Sequence, residues 1–193
     1  MHRLNALFFA LLFGMLASCG GLQEVWVGGD ADEFHPRSIA VLPPMVGQYE
    51  GARDASFEVI SSVLSKTGFF ETIVPEEQVR SLFETKEGGD LLAAYYTKLE
   101  TTGQSDRDLA VKLGSLLATE ALLVVKVNGW EHSLSGGDKA AKVGLGLRLI
   151  DASKGILVWK ARHQKTESYL FFKPNLRDVG VDLAEEMIKE MPH

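Results

Sequence analysis

Few residues in this chain are of a type, and in a place, to do chemistry, and Cys19 leads them. It is the only cysteine. It stands directly behind Leu16, Ala17 and Ser18, at the end of an apolar segment that starts at Ala6. A thiol so placed can be modified once, but with no second cysteine it cannot close an intrachain disulfide. His35, His132 and His163 lie far apart in the chain, without metal-ligand spacing to a carboxylate or cysteine, and read as solvated or edge positions. There is no G-x-S-x-G elbow, no H-E-x-x-H and no Walker loop. Gly144 and Gly146 fall inside an alternating stretch rather than at a strand-to-helix turn, which excludes a dinucleotide site. Asp106 and Asp108 belong to a helix start. These patterns predict no catalytic residue, no metal site, no cofactor and no small-molecule substrate.

The element that positions Cys19 is the segment before it. From Ala6 to Leu16 the apolar run is eleven residues, well short of the roughly 20 that a spanning helix needs. With His2 and Arg3 ahead of it, it has the layout of a secretory signal. Leu16-Ala17-Ser18-Cys19 resembles the bacterial lipobox, in which cleavage falls before a cysteine that carries lipid. The other reading is an ordinary signal peptide with a chance cysteine. The lipobox resemblance implies that residues 1–18 are removed and that Cys19 becomes the acylated first residue. Several acyl chains, at about 0.8 kcal/mol per buried methylene, hold a protein on a bilayer without any spanning segment. Gly20, rather than aspartate, follows the cysteine. By resemblance to Gram-negative lipoproteins, that implies the outer membrane, on its periplasmic side.

Charge narrows the partners. The chain has 26 acidic and 20 basic residues, a formal net charge of −6, and removal of residues 1–18 takes only Arg3 from the balance. Such a chain lacks the clustered Lys and Arg that nucleic acid requires. The polybasic surface of a peripheral membrane domain is absent too. The length suits one domain, and no internal repeat is present.

Gly20 to Arg37 reads as a tether, broken by Gly20-Gly21, Gly28-Gly29 and the acidic Asp30 to Glu33. Val25-Trp26-Val27 is either a short edge strand or a contact with the membrane interface. A body follows from 38 to 193. Ser38 to Leu42 is an apolar run stopped by Pro43-Pro44, a buried strand. A helix spans about Ala55 to Lys66 with Gly68 at its C′ position. Phe69 to Val74 is a second strand. Pro75 opens a helix that Gly88-Gly89 ends. Further helices run from Leu91 to Leu99, where Tyr95 and Tyr96 read as half-buried packing, and from Ser105 with Asp108 as an imperfect capping box. Ala121 to Trp130, Val143 to Asp151 and Ile156 to His163 are three strands, the last two joined by a turn with Gly155 at positive φ. A final helix follows Pro174, capped by Asn175. The order is written βαβααβββα, an α/β fold in which helices pack on a mixed sheet.

Three stretches together resemble the CsgG/TolB-N-terminal-like superfamily: Ile39-Ala-Val-Leu-Pro-Pro, then Leu113-Gly114 ahead of Ala121-Leu-Leu-Val-Val, then Leu147-Arg-Leu-Ile-Asp151 with Gly155 and Trp159. The likeness covers roughly 38–191. Members named for their roles include the curli secretion pore lipoprotein, the polysaccharide-export lipoprotein PelC and the synthase-activating lipoprotein LpoB. The resemblance implies periplasmic placement and a homo-oligomer or envelope protein complex, but not one shared activity. The curli pore threads two hairpins per subunit through the membrane. Here Glu84 to Ser105 is Gly-broken and helix-like, and Ser133 to Lys142 is too short and polar for strands of about 9–11 spanning residues. The expectation is therefore a body that builds no barrel, acting as a scaffold or accessory subunit of an envelope export or assembly apparatus. The alternative is a periplasmic binding module that regulates a cell-wall synthase. Trp130 and Trp159 are candidate interface or membrane-facing residues, with burial against the helices as the competing reading.

Overall fold

The computed structural model describes residues 22–193 apart from 136 and 137. Leu16, Ala17, Ser18 and Cys19 lie outside the described residues. Six strands, β1 (Glu24–Val27), β2 (Ser38–Val41), β3 (Thr72–Ile73), β4 (Ala121–Ser135), β5 (Asp138–Asp151) and β6 (Ile156–Tyr169), form one sheet in the order β1-β6-β5-β4-β2-β3. β2 runs parallel to β3 and β4, and the other pairs are antiparallel. The helices are α1 (Arg53–Thr67), α2 (Glu76–Glu84), α3 (Lys86–Thr102), α4 (Arg107–Leu117) and α5 (Leu176–Ile188). The mixed sheet with packed helices is the fold class that the sequence predicts. Its order adds β1 at the start, and all three helices read from the sequence after Pro75 lie between β3 and β4, one more than the written order βαβααβββα counts.

The sheet's two faces differ. Leu145, Leu147 and Leu149 of β5 alternate with Gly144, Gly146 and Arg148, so the leucines share one face. On that face α5 packs against β5 and β6 and lies beside α1. Lys165 of β6 donates to Glu186 of α5 at 2.9 Å and sits 3.3 Å from Asp182. Glu186 first, then Asp182, raises the Lys165 pKa. The opposite face meets α3 and α4 at one end only. There Lys126 of β4 pairs with Glu100 of α3 at 2.9 Å, and Gly114 of α4 presses on Ala152. A Cβ at Gly114 would come 2.5 Å from that of Ala152, so this approach requires glycine.

Several boundaries move. Gly88-Gly89 does not end a helix. α2 stops at Glu84, and Thr85 caps α3, its hydroxyl accepting from Gly88 N at 3.1 Å. Gly88 is tolerated because it lies in the first turn, against the carbonyl carbon of Leu82, where a Cβ would come to 3.0 Å. α4 is capped by Asp106, which accepts from Leu109 N at 3.1 Å, and not by Ser105. The stretch Phe69 to Val74 pairs only at Thr72 and Ile73. Asn175 caps α5 as its position predicts, accepting from Arg177 N at 3.0 Å. Asp106→Ala is expected to cost about 1 kcal/mol by removing the α4 cap, read as a shift in urea midpoint without a change in slope.

The largest correction is at the start. Glu24 to Val27 pairs along β6, from Glu24 with Arg162 to Val27 with Trp159, and Ala31 is buried. Most of the stretch assigned to a tether at 19–37 is therefore folded onto the body. β6 offers a free edge, and the four residues of β1 cover it from Trp159 to Arg162.

Candidate binding surfaces

Two surfaces are left unpartnered by this packing. The first is an open groove of about 600 Å³ on the face that α3 and α4 only partly cover. Its floor is set by strand register. Val124, Lys126 and Asn128 of β4 come from one strand, Gly146 and Arg148 from β5, Lys160 and Arg162 from β6, and Glu24 and Trp26 from β1. Lys126 is opposite Gly146, Gly146 is opposite Arg162, and Arg148 is opposite Lys160. A register shift between Val127 and Gly129 leaves Asn128 as the extra residue of a bulge. Asn128 thereby stays on the groove side, while Trp130 turns to the helix side. Lys126 is paired with Glu100, and Arg162 lies 3.7 Å from Glu24. Arg148 and Lys160 have no acidic partner among the described residues.

The second surface is apolar and lies at one end of the sheet. Leu134 is 75 % exposed, Leu170 78 %, and Phe171 and Phe172 91 % each. Lys139 is the register partner of both Leu134 and Tyr169, so the tip of the β4–β5 hairpin and the residues after β6 sit side by side. Fully exposing two adjacent phenylalanines leaves about 1.5–3 kcal/mol of transfer free energy unused at each. Tight clusters of this kind mark contact sites more often than scattered single residues do.

The residues singled out from the sequence are dispersed. Trp159 is wholly buried, and its indole N–H has no hydrogen-bond partner among the described residues. Burial leaves Trp159 no surface to offer, so it is a core residue and not an interface contact. Trp130 is half-buried, its ring lying where a Cβ on Gly180 of α5 would come to 2.8 Å. His132 bonds the Pro174 carbonyl at 2.8 Å, His163 lies 3.6 Å from Glu186, and His35 bonds the His193 carbonyl at 3.0 Å. Tyr95 is buried beside Ser105, with its hydroxyl 3.1 Å from the serine Oγ, and Tyr96 donates to the Pro43 carbonyl at 2.6 Å. Burial raises both phenol pKa values. Among the described residues no His, Cys, Asp and Glu side chains gather in threes for a metal ion. No helix there is long and apolar enough to cross a membrane.

Neither surface was assembled by sequence reasoning. The alternation of β5 placed Gly146 and Arg148 on one side. The register that brings Lys126, Lys160 and Arg162 beside them is a tertiary property. Leu170-Phe171-Phe172 ahead of Lys173-Pro174 was a legible signal, since three apolar residues between a strand and a proline have no periodic partner.

No protein-family model matches the chain, and no curated protein does. Solved structures do. The PelC dodecamer from Paraburkholderia phytofirmans is similar over 86 % of this chain and 92 % of its own, at 17 % identity and a TM-score of 0.56. Lipoprotein GNA1162 from Neisseria meningitidis is similar over 80 % of this chain and 99 % of its own, at 20 % identity and a TM-score of 0.55. At this identity the likeness is one of fold: the chain shares the fold of the PelC and GNA1162 structures.

Proposed function

We propose that the protein is a non-catalytic outer-membrane lipoprotein, anchored through Cys19 and facing the periplasm, that serves as a scaffold subunit in an envelope export or assembly apparatus. The observation that carries this reading is the direction of β1. It runs antiparallel to β6, with Glu24 opposite Arg162 and Val27 opposite Trp159. Followed backwards from Glu24, the chain heads toward the end of β6 where Tyr169, Leu170, Phe171 and Phe172 lie. Cys19 precedes Glu24 by five residues, a reach of no more than about 18 Å. That direction supports a lipid on the same side of the molecule as the apolar end of the sheet. A bilayer there would receive both.

The strands that reach this end do not carry a spanning pattern. Toward the tip they hold Glu131, His132, Ser133, Lys139 and Lys142, and a lipid-facing strand would need an apolar residue at every second position. Shallow contact suits the tip. Oligomerisation is supported by the fold shared with the PelC dodecamer.

The test is the composition of the particle extracted from membranes. Native mass spectrometry of the detergent-solubilised mature protein is expected to show a homo-oligomer, or a fixed complex with another envelope protein. A monomer that brings no envelope partner with it, in mild detergent and after cross-linking in intact cells, would overturn the scaffold role.

A further inference from the structure

We propose that the open groove on the sheet is a binding site for an acidic glycan, a chain of sugars bearing carboxylates. This inference goes beyond the scaffold role and does not depend on it. In a chain with more acidic than basic residues, the groove lining holds four cations, Lys126, Arg148, Lys160 and Arg162, against one acid, Glu24.

The central pair is the sharpest feature. Arg148 and Lys160 are direct cross-strand partners, and like charges in that position oppose each other. No acid among the described residues relieves them. Folding gains nothing from this juxtaposition, whereas a carboxylate seated between the two side chains would satisfy both. The flat guanidinium of Arg148 suits a carboxylate because it offers two parallel N–H donors.

Shape and the remaining residues point to sugar. Gly146 sits between Lys126 and Arg162 in register, and a Cβ there would come 3.2 Å from the Asn128 amide. Glycine keeps that amide and the floor open to hydroxyl groups. Trp26, on the edge strand and 43 % exposed, lines the groove and supplies an indole on which the C–H face of a pyranose ring can stack. Aromatic ring, amide and paired cations together recognise an acidic saccharide better than a bare anion. The groove volume of about 600 Å³ falls within the usual range of ligand sites.

Lipid head groups are a poorer fit. The row holding Lys126, Gly146 and Arg162 is some seven or eight residues back from the row holding Leu134, Lys139 and Tyr169. At about 3.3 Å per residue that is roughly 25 Å. A bilayer touched by Phe171 and Phe172 would not bring phosphates to Arg148.

The experiment titrates the full mature chain, in uncharged detergent, with short oligogalacturonate and with maltotetraose, by calorimetry and tryptophan emission. Saturable binding of the oligogalacturonate is expected, weakening with added salt, with at least tenfold weaker binding of maltotetraose. Arg148→Glu/Lys160→Glu should weaken the acidic ligand about tenfold or more. Arg148→Gln/Lys160→Gln should show the same loss if charge reversal harms folding. Lys66→Glu on α1, which shifts the net charge as much as the Gln pair does, should bind as wild type. The proposal fails if neither sugar binds, if both bind equally, or if Arg148→Gln/Lys160→Gln binds unchanged. Tighter binding of poly-glutamate than of oligogalacturonate would also overturn it, reassigning the groove to an acidic protein segment.

Discussion

Gly155→Val is expected to lower the stability of the body by about 3 kcal/mol or more. Two costs combine there. Gly155 has φ +66 in the turn between β5 and β6, a conformation that costs a β-branched residue about 1–2 kcal/mol. Its α-carbon also faces the first residue of α4. A Cβ would come 2.5 Å from the Arg107 Cα, with the Arg107 carbonyl nearer still. Backbone cannot move aside as a side-chain end can, so overpacking adds a further 1–3 kcal/mol. Against the 5–15 kcal/mol that hold typical domains together, this is a large fraction. Gly47→Ala separates the two costs, because Gly47 has φ +53 but nothing within 4 Å of the added carbon. It should lose only the conformational part, about 1 kcal/mol. Urea unfolding measures both. Gly155→Val within 1 kcal/mol of wild type would mean that the turn does not hold α4 in place.

The same turn shows why the landmark from Leu147 to Trp159 was legible. Asp151 is buried, and its Oδ1 accepts from Ser153 N at 2.8 Å, Ser153 Oγ at 2.6 Å and Lys154 N at 3.1 Å. Gly155 follows where the chain must reverse against α4, and Trp159 then fills the core. Each residue answers to a local need, so their spacing survives as a pattern in one sequence. α1 was legible for similar reasons, ending at Gly68 with φ +68. β1 was not. Its four residues are exposed, and what makes them a strand is the unpaired edge of β6, a partner more than 130 positions away. The full lengths of β4, β5 and β6 were hidden too. Beyond Trp130, Val143 and His163 the polar residues Glu131, Ser133, Lys142, Gln164 and Thr166 remove the apolar signal, while ladder pairing continues to the tip.

The groove and the apolar end stood in a middle position. Their residues are plain in the sequence, but each cation alone reads as a solvated lysine or arginine. Register turned Arg148 and Lys160 into a like-charged pair, and the bulge at Asn128 decided which face Trp130 and Asn128 take. A slip of one residue would have exchanged those faces. Trp159 illustrates the converse. An aromatic residue at a strand end invites a surface role, yet Trp159 is wholly buried in the core.

Cys19→Ala is expected to abolish acylation altogether, and with it cleavage of residues 1–18. The chain has no other thiol, so no second residue can receive a thioether-linked lipid. Metabolic labelling with a fatty-acid analogue reads this directly, independent of where the unprocessed chain resides. A Cys19→Ala protein that still carries label would remove the lipobox assignment. The apolar end then has a smaller, separable part. One acyl chain of ordinary length contributes on the order of 10 kcal/mol at about 0.8 kcal/mol per methylene. Phe171 and Phe172 contribute about 1.5–3 kcal/mol each at most. Phe171→Ser/Phe172→Ser should therefore leave the acylated protein on the membrane while loosening the orientation of its body. Phe171→Trp reports that orientation. Its added emission should be blue-shifted and quenched by brominated lipid in the acylated protein. Emission from that position that stays unquenched would place the apolar end away from the bilayer, against a second protein surface if it is blue-shifted and in water if it is red.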